Sequence, residues 1–144
     1  MTENKDAIIS IHPKYADAIL SGKKTIELRR RIPATAVGTR LWIYATRPLG
    51  GVVGSAVVSE ILRGTPEQIW ALCKDKVCVD RASYDDYFRG TLQAIGIVLT
   101  DITRRQPIMI EQLREMKEGF HPPQVLARLS KKDTRSLAKL AFAV

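Results

Sequence analysis

The stretch Ala18-Ile19-Leu20-Ser21-Gly22-Lys23-Lys24-Thr25-Ile26-Glu27-Leu28-Arg29-Arg30-Arg31 changes period at its glycine. Before Gly22, the apolar positions Tyr15, Ala18 and Ile19 recur at helical spacing; after it, Ile26 and Leu28 alternate with Thr25, Glu27 and Arg29 at the period of a strand. Glycine accepts the left-handed turn that ends many helices, so the pattern predicts a helix over 13–22 and a strand over 25–31. Such a strand puts Ile26 and Leu28 on one face and Thr25, Glu27, Arg29 and Arg31 on the other. Two readings of that charged face stay open. It is a solvated face, whose ion pairs are worth about 0 to 1 kcal/mol each, or it lines a cleft in which Lys24, Glu27 and Arg29 form a partly desolvated polar site.

Working outward, residues 7–12 are β-branched and end at Pro13, which opens a helix readily but interrupts a central strand. A strand is therefore expected there. Residues 32–38 read as a loop by their proline and glycine, 40–46 as a strand rich in aromatic and aliphatic residues, and 52–61 as another strand. Gly54 marks a bulge in it or a close approach to the backbone. Thr65-Pro66 is a helix start, with Thr as the cap and Pro at the first position. A short helix over 83–90 closes at Gly90, and the apolar run 92–102 is the last long strand, expected in the middle of the sheet. Helix over 109–117, a break at His121-Pro122-Pro123-Gln124 and a basic amphipathic tail over 131–142 complete the chain. The sum is an α+β fold: one domain over 1–144, a small mixed β-barrel of about five strands with helices packed outside.

Composition narrows the partners. The 144 residues carry a net charge of +8 and a pI near 9.8, which favours a polyanion through phosphate neutralisation and counterion release. The excess is local: Lys23, Lys24, Arg29, Arg30, Arg31, Arg40 and Arg47 stand against the single acid Glu27 between Gly22 and Arg47. Among the aromatic residues, Tyr44 is the favoured stacking surface because its strand ends in the loop Ala45-Thr46-Arg47-Pro48, while the rest read as core. Lys131, Lys132, Arg135 and Lys139 read as a solvated helix face. Cys73 and Cys78, five apart, with His12 and His121 isolated, exclude a zinc motif and read as free thiols; no metal or cofactor is expected. Gly22-Lys23-Lys24-Thr25 is not a nucleotide phosphate loop, since position 17 is Asp17 and the order of helix and strand is reversed. No run approaches a membrane span and the N-terminus lacks the shape of a signal peptide, so the expected location is the cytoplasm.

Ser10-Ile11-His12-Pro13-Lys14-Tyr15, followed by Gly22, Lys24, Glu27 and Arg29 in the spacing G-x-K-x-x-E-x-R, resembles the ASCH (activating signal cointegrator homology) domain. Ile43-Tyr44-Ala45-Thr46, the Trp70 helix, Tyr87-Phe88-Arg89-Gly90 and Pro122-Pro123-Gln124 extend the resemblance over about 8–126, leaving a basic helical tail over 127–144. The resemblance implies a PUA-like barrel, a class associated with RNA, with the signature residues in a cleft beside the first helix. Together with the local basic excess and the position of Tyr44, it leads to binding of RNA or a nucleotide-like ligand in a basic cleft, with Lys23, Lys24, Thr25, Glu27, Arg29, Arg30, Arg31, Tyr44 and Arg47 as the expected contacts, in a transcription- or translation-related regulator. A hydrolase is the alternative, with Lys24 and Glu27 as a general acid–base pair: a ribonuclease, or an amidohydrolase acting on N4-acetylcytidine. In the amidohydrolase branch a threonine nucleophile stands three residues after the lysine; this chain has Glu27 there, so no deacetylation is expected. A third reading is a co-regulator that docks on protein partners through an exposed apolar patch.

Overall fold

In the computed structural model, residues 6–142 are described; residues 1–5, in the N-terminal segment read above, and residues 143–144, at the end of the basic tail, lie outside them. The described residues form six strands and five helices. They are β1 (Asp6–Ile11), α1 (Pro13–Leu20), β2 (Ile26–Arg29), β3 (Arg40–Ala45), β4 (Gly51–Gly64), α2 (Pro66–Cys73), α3 (Arg81–Tyr87), β5 (Ala94–Met109), α4 (Ile110–Met116), β6 (Leu126–Arg128) and α5 (Lys131–Phe142).

Local chemistry sets the boundaries. α1 stops at Leu20, and Gly22 follows with φ of 84°, the left-handed conformation expected of it. α2 begins in a reciprocal cap: the Gln68 amide donates to Thr65 Oγ1 at 3.1 Å, and the Thr65 amide donates to Gln68 Oε1 at 2.9 Å. At Gly54 the ladder with β5 changes register, and a Cβ would lie 2.4 Å from the Thr103 carbonyl oxygen and 2.6 Å from a Leu20 methyl. Bulge and close approach thus coincide at one glycine.

The strands run β2-β5-β4-β3-β1-β6 across one mixed sheet, in which only β1 and β3 pair in parallel. β2 and β6 are its two ends, so the sheet is a curled half-barrel and not a closed one. The expected count of about five strands is corrected to six. The added strand, β6, is three residues long and exists by pairing antiparallel to β1, a long-range contact that three residues of sequence do not announce. The strand expected over 92–102 continues to Met109. Pro107, inside this strand, falls where no β4 partner is needed, because β5 moves four residues from Arg104 to Ile108 while β4 moves two from Gly54 to Val52. A missing N–H is tolerated at such an irregularity. The expected strand over 25–31 is trimmed to four residues, and the helix over 83–90 begins two residues earlier, where Asp80 caps it by accepting from the Ser83 amide at 2.7 Å.

Three apolar clusters hold the layers. Ile9, Ile11, Ile43, Ile95, Ile97 and Leu99 face inward around Ala16 and Ile19 of α1. Ile26 and Leu28 face outward onto Ile69, Cys73, Tyr84 and Phe88 of α2 and α3. Ile8, Trp42, Tyr44 and Val52 pack with Leu113 of α4 and Leu137 of α5. Strand alternation produces this split. Glu27 lies opposite Ile97, and Arg29 opposite Ile95, so both charged residues point to the inner side of the curl while Ile26 and Leu28 point out. No helix among the described residues is long and apolar enough to cross a membrane.

Candidate functional site

A cavity of about 270 Å³ opens between the end of β1, α1, β2 and α3. Its floor is Lys24, Glu27 and Arg29. Lys24 and Glu27 are only 2% and 7% exposed, so the solvated-face reading of this strand fails at these two positions. The Arg29 guanidinium donates twice to Glu27 Oε2, from Nη2 at 2.6 Å and Nε at 3.2 Å. Lys24 Nζ lies 3.5 Å from Glu27 Oε1 and donates to the Val77 carbonyl at 2.5 Å. It also sits 5.2 Å from the centre of the Tyr15 ring. Burial pushes the Lys24 ammonium below its ordinary pKa, and the Glu27 carboxylate, its nearest counter-charge, pulls in the opposite direction. A buried carboxylate between a buried ammonium and a half-buried guanidinium is held in one geometry, because each charge left alone would be costly.

Arg29 has a second task. Its Nη2 donates to the Ser10 carbonyl at 2.8 Å, joining β2, at one end of the sheet, to β1 near the other. The Ser10 hydroxyl donates to the Pro123 carbonyl at 2.6 Å. The walls above the floor are aromatic: Tyr15 from α1, Tyr84 and Tyr87 from α3. Tyr84 is fixed between Trp70 and Phe88, each 4.7 Å away between ring centres, and its hydroxyl donates to the Pro66 carbonyl at 2.7 Å. Burial pushes that phenol up to about 12. Tyr87 is part-exposed, its ring covered on one side by the Arg30 guanidinium at 4.9 Å.

Beside the cavity runs a wider groove of about 680 Å³, lined by Arg29, Arg30, Arg31, Tyr87, Arg89 and the Gln124-Val125 segment. The two concavities share Arg29 and Tyr87. Of the residues singled out in the sequence, Lys24, Glu27 and Arg29 meet on the floor, and Arg30 and Arg31 meet in the groove. Lys23 is exposed outside both, its carbonyl accepting from Cys78 Sγ at 3.3 Å. Thr25 is tied by its backbone, donating to the Lys76 carbonyl at 3.0 Å and accepting from Leu99 at 2.9 Å, and is not among the lining residues. Tyr44 and Arg47 are not brought to this cavity. Tyr44 alternates with Ile43 along β3, so it faces the third cluster, with its ring 6.5 Å from Phe120. Burial raises its phenol pKa, against the pull of the nearby Arg114 and Arg47 guanidiniums.

His12, Tyr15, Ser83, Tyr84, Tyr87 and Arg89 also line these concavities and are not among the predicted site residues, although His12, Tyr15, Tyr87 and Arg89 stand in the motifs that carry the resemblance. A signal that could have found two of them is the spacing of Tyr84 and Tyr87, i and i+3 on one short helix, which puts both rings on one side of it. Among the described residues no three of His, Cys, Asp and Glu come together as a metal site.

A family model, the ASCH domain, matches residues 9–136. An ASCH domain-containing ribonuclease from Zymomonas mobilis is 42% identical over 142 residues, 99% of this chain and 96% of that protein. The crystal structure of ASCH from Zymomonas mobilis superposes with a TM-score of 0.93 at 42% identity, covering 96% of each chain. The N-terminal domain of Staphylothermus marinus McrB superposes with a TM-score of 0.60 at 12% identity, over 96% of this chain and 95% of that one. That last likeness is one of fold.

Proposed function

Because the chain belongs to the ASCH domain family, we propose that it binds single-stranded RNA by taking one unpaired base into the Lys24–Glu27–Arg29 cavity and the adjoining phosphates into the Arg30–Arg31–Arg89 groove. The observation that carries this reading is the shared boundary: the cavity and the arginine groove meet at Arg29 and Tyr87. The cavity is near the lower end of the size range of small-ligand pockets, and its walls offer aromatic faces of the kind on which unstacked bases rest. Its floor presents a carboxylate oxygen, Oε1, beside cationic donors, which matches the adjacent donor and acceptor on the edge of a base. A base held in a duplex would have to be unpaired first. The relative named as a ribonuclease supports RNA as the polymer.

The test is a pair of titrations with the same RNA sequence, single-stranded and duplexed, across a salt series. The single strand is expected to bind at least roughly tenfold tighter at equal salt, with log affinity falling by about 0.7 per phosphate contact on log salt. Equal affinity for both forms would reduce the cavity to a bystander of a basic surface.

A second reading is that the same site cleaves the strand that it binds. Lys24, its pKa lowered by burial, lies 3.5 Å from a carboxylate in a desolvated site, an arrangement that places a proton donor beside a proton acceptor. Under that reading Lys24→Gln lowers turnover of single-stranded RNA by roughly a hundredfold or more with affinity within a few fold. Affinity and turnover falling together would assign Lys24 to binding alone.

A further inference from the structure

His12 stands at the mouth of the cavity, at the junction of β1 and α1, and it caps the helix in an unusual way for a histidine. Its Nδ1 accepts the Lys14 amide at 3.2 Å. An imidazole nitrogen that accepts a hydrogen bond carries no proton, so the proton of neutral His12 is on Nε2. The ring thus offers an N–H from its far edge, and nothing among the described residues accepts from it.

The ring is also positioned. Tyr15 meets it edge-on, 6.1 Å between centres, and Pro13 stiffens the backbone that follows. The Arg29 bond to the Ser10 carbonyl anchors β1 two residues earlier to the same guanidinium that holds Glu27. Floor and mouth are therefore registered to one another through Arg29.

Resting on the reading of this cavity as a base pocket, we infer that His12 is a ligand-binding residue that donates from Nε2 to a ribose or phosphate oxygen of the nucleotide whose base is inside. With the base on the floor, what crosses the mouth is the sugar and its phosphates, whose exposed atoms are hydrogen-bond acceptors. The cap fixes His12 as a donor. It cannot take a proton at Nε2 in this tautomer, so it does not serve as the base that activates a 2′-hydroxyl.

Two substitutions separate the two nitrogens. Asn places an amide oxygen where Nδ1 stands and keeps the cap, without reaching the mouth. Gln places an amide nitrogen where Nε2 stands and gives up the cap. Binding of a fluorescent single-stranded RNA hexamer and thermal melting are measured for both. His12→Asn is expected to melt like the wild type and bind roughly three- to tenfold more weakly. His12→Gln is expected to melt lower and bind within about twofold of the wild type. Wild-type affinity in His12→Asn, or an equal loss of affinity in both variants, overturns the inference. Tyr87→Ala decides what falls with it. If that variant binds weakly while His12→Asn does not, the base pocket stands and the role of His12 is lost. A wild type that does not prefer single strands removes both.

Discussion

The floor of the cavity and the groove beside it draw on the same residue type at consecutive positions, Arg29 below and Arg30 and Arg31 outside, yet they behave as different materials. Arg29 points to the inner side of the curl, opposite Ile95, and spends its donors on Glu27 and Ser10. Arg30 points out and rests on Tyr87, and Arg31 is exposed. Inside, each charge depends on its neighbours, and geometry is fixed at the expense of tolerance to change. Outside, charges act almost additively on a polyanion and are screened by salt. Shape selection belongs to the first and attraction to the second.

The comparison breaks most visibly at Glu27. Glu27→Gln leaves the buried Lys24 and the half-buried Arg29 without their counter-charge, and a loss of about 3 kcal/mol in urea unfolding is expected. A loss below about 1 kcal/mol would mean that the floor is as soft as the surface. Replacing Arg30, Arg31 and Arg89 together by alanine should do the opposite. The melting midpoint stays where it was, while affinity for single-stranded RNA falls roughly tenfold at low salt and the log–log salt slope shrinks by about 2. Unchanged slope would remove the groove from the interface.

Alkaline pH sharpens the contrast further, since Lys24 is the floor group with a lowered pKa. Between its folded pKa and the ordinary 10.5, the unfolded chain holds the proton that the folded chain has released, so stability from this group rises with pH. Urea unfolding of the wild type and of Lys24→Met, compared at rising pH toward 10.5, should show the difference moving in favour of the wild type. A difference that is flat with pH would contradict the lowered pKa. The smallest effect is expected at the boundary residue. The Tyr87 hydroxyl makes only a long 3.5 Å bond to the Leu28 carbonyl, so Tyr87→Phe should bind RNA within about twofold of the wild type. A larger loss would move the contribution of Tyr87 from its ring to its hydroxyl.

Much of the floor was legible because it is local. The alternation Ile26, Glu27, Leu28, Arg29 states which side chains share a face, and Gly22 states where the helix must stop. Legibility ended where the outcome depends on distant partners. The same alternation holds in a solvated strand and a buried one, and only the pairing with Ile95 and Ile97 of β5 decides between them. β6 owes its existence to β1, more than a hundred residues earlier in the chain. The sequence favours Tyr44 for stacking and reads Tyr87 as core, but β3 turns Tyr44 onto the α4 and α5 side and α3 brings Tyr87 to the cavity. His12 stands in the motif that carries the resemblance but is not a predicted site residue, because an isolated histidine carries no pattern, and its meaning comes from the Lys14 amide that it accepts and the cavity that it borders.

A half-barrel resembles a split ring, and a split ring needs something to set its gap. Among the described residues the sheet is open between β2 and β6, and the Arg29 guanidinium reaches from β2 past that opening to the Ser10 carbonyl of β1. Arg29 is thus a clasp as well as a charge. A molecule that drew on its donors would compete with the Ser10 carbonyl and with Glu27 for one guanidinium, so the seam and the floor share a single set of hydrogen bonds.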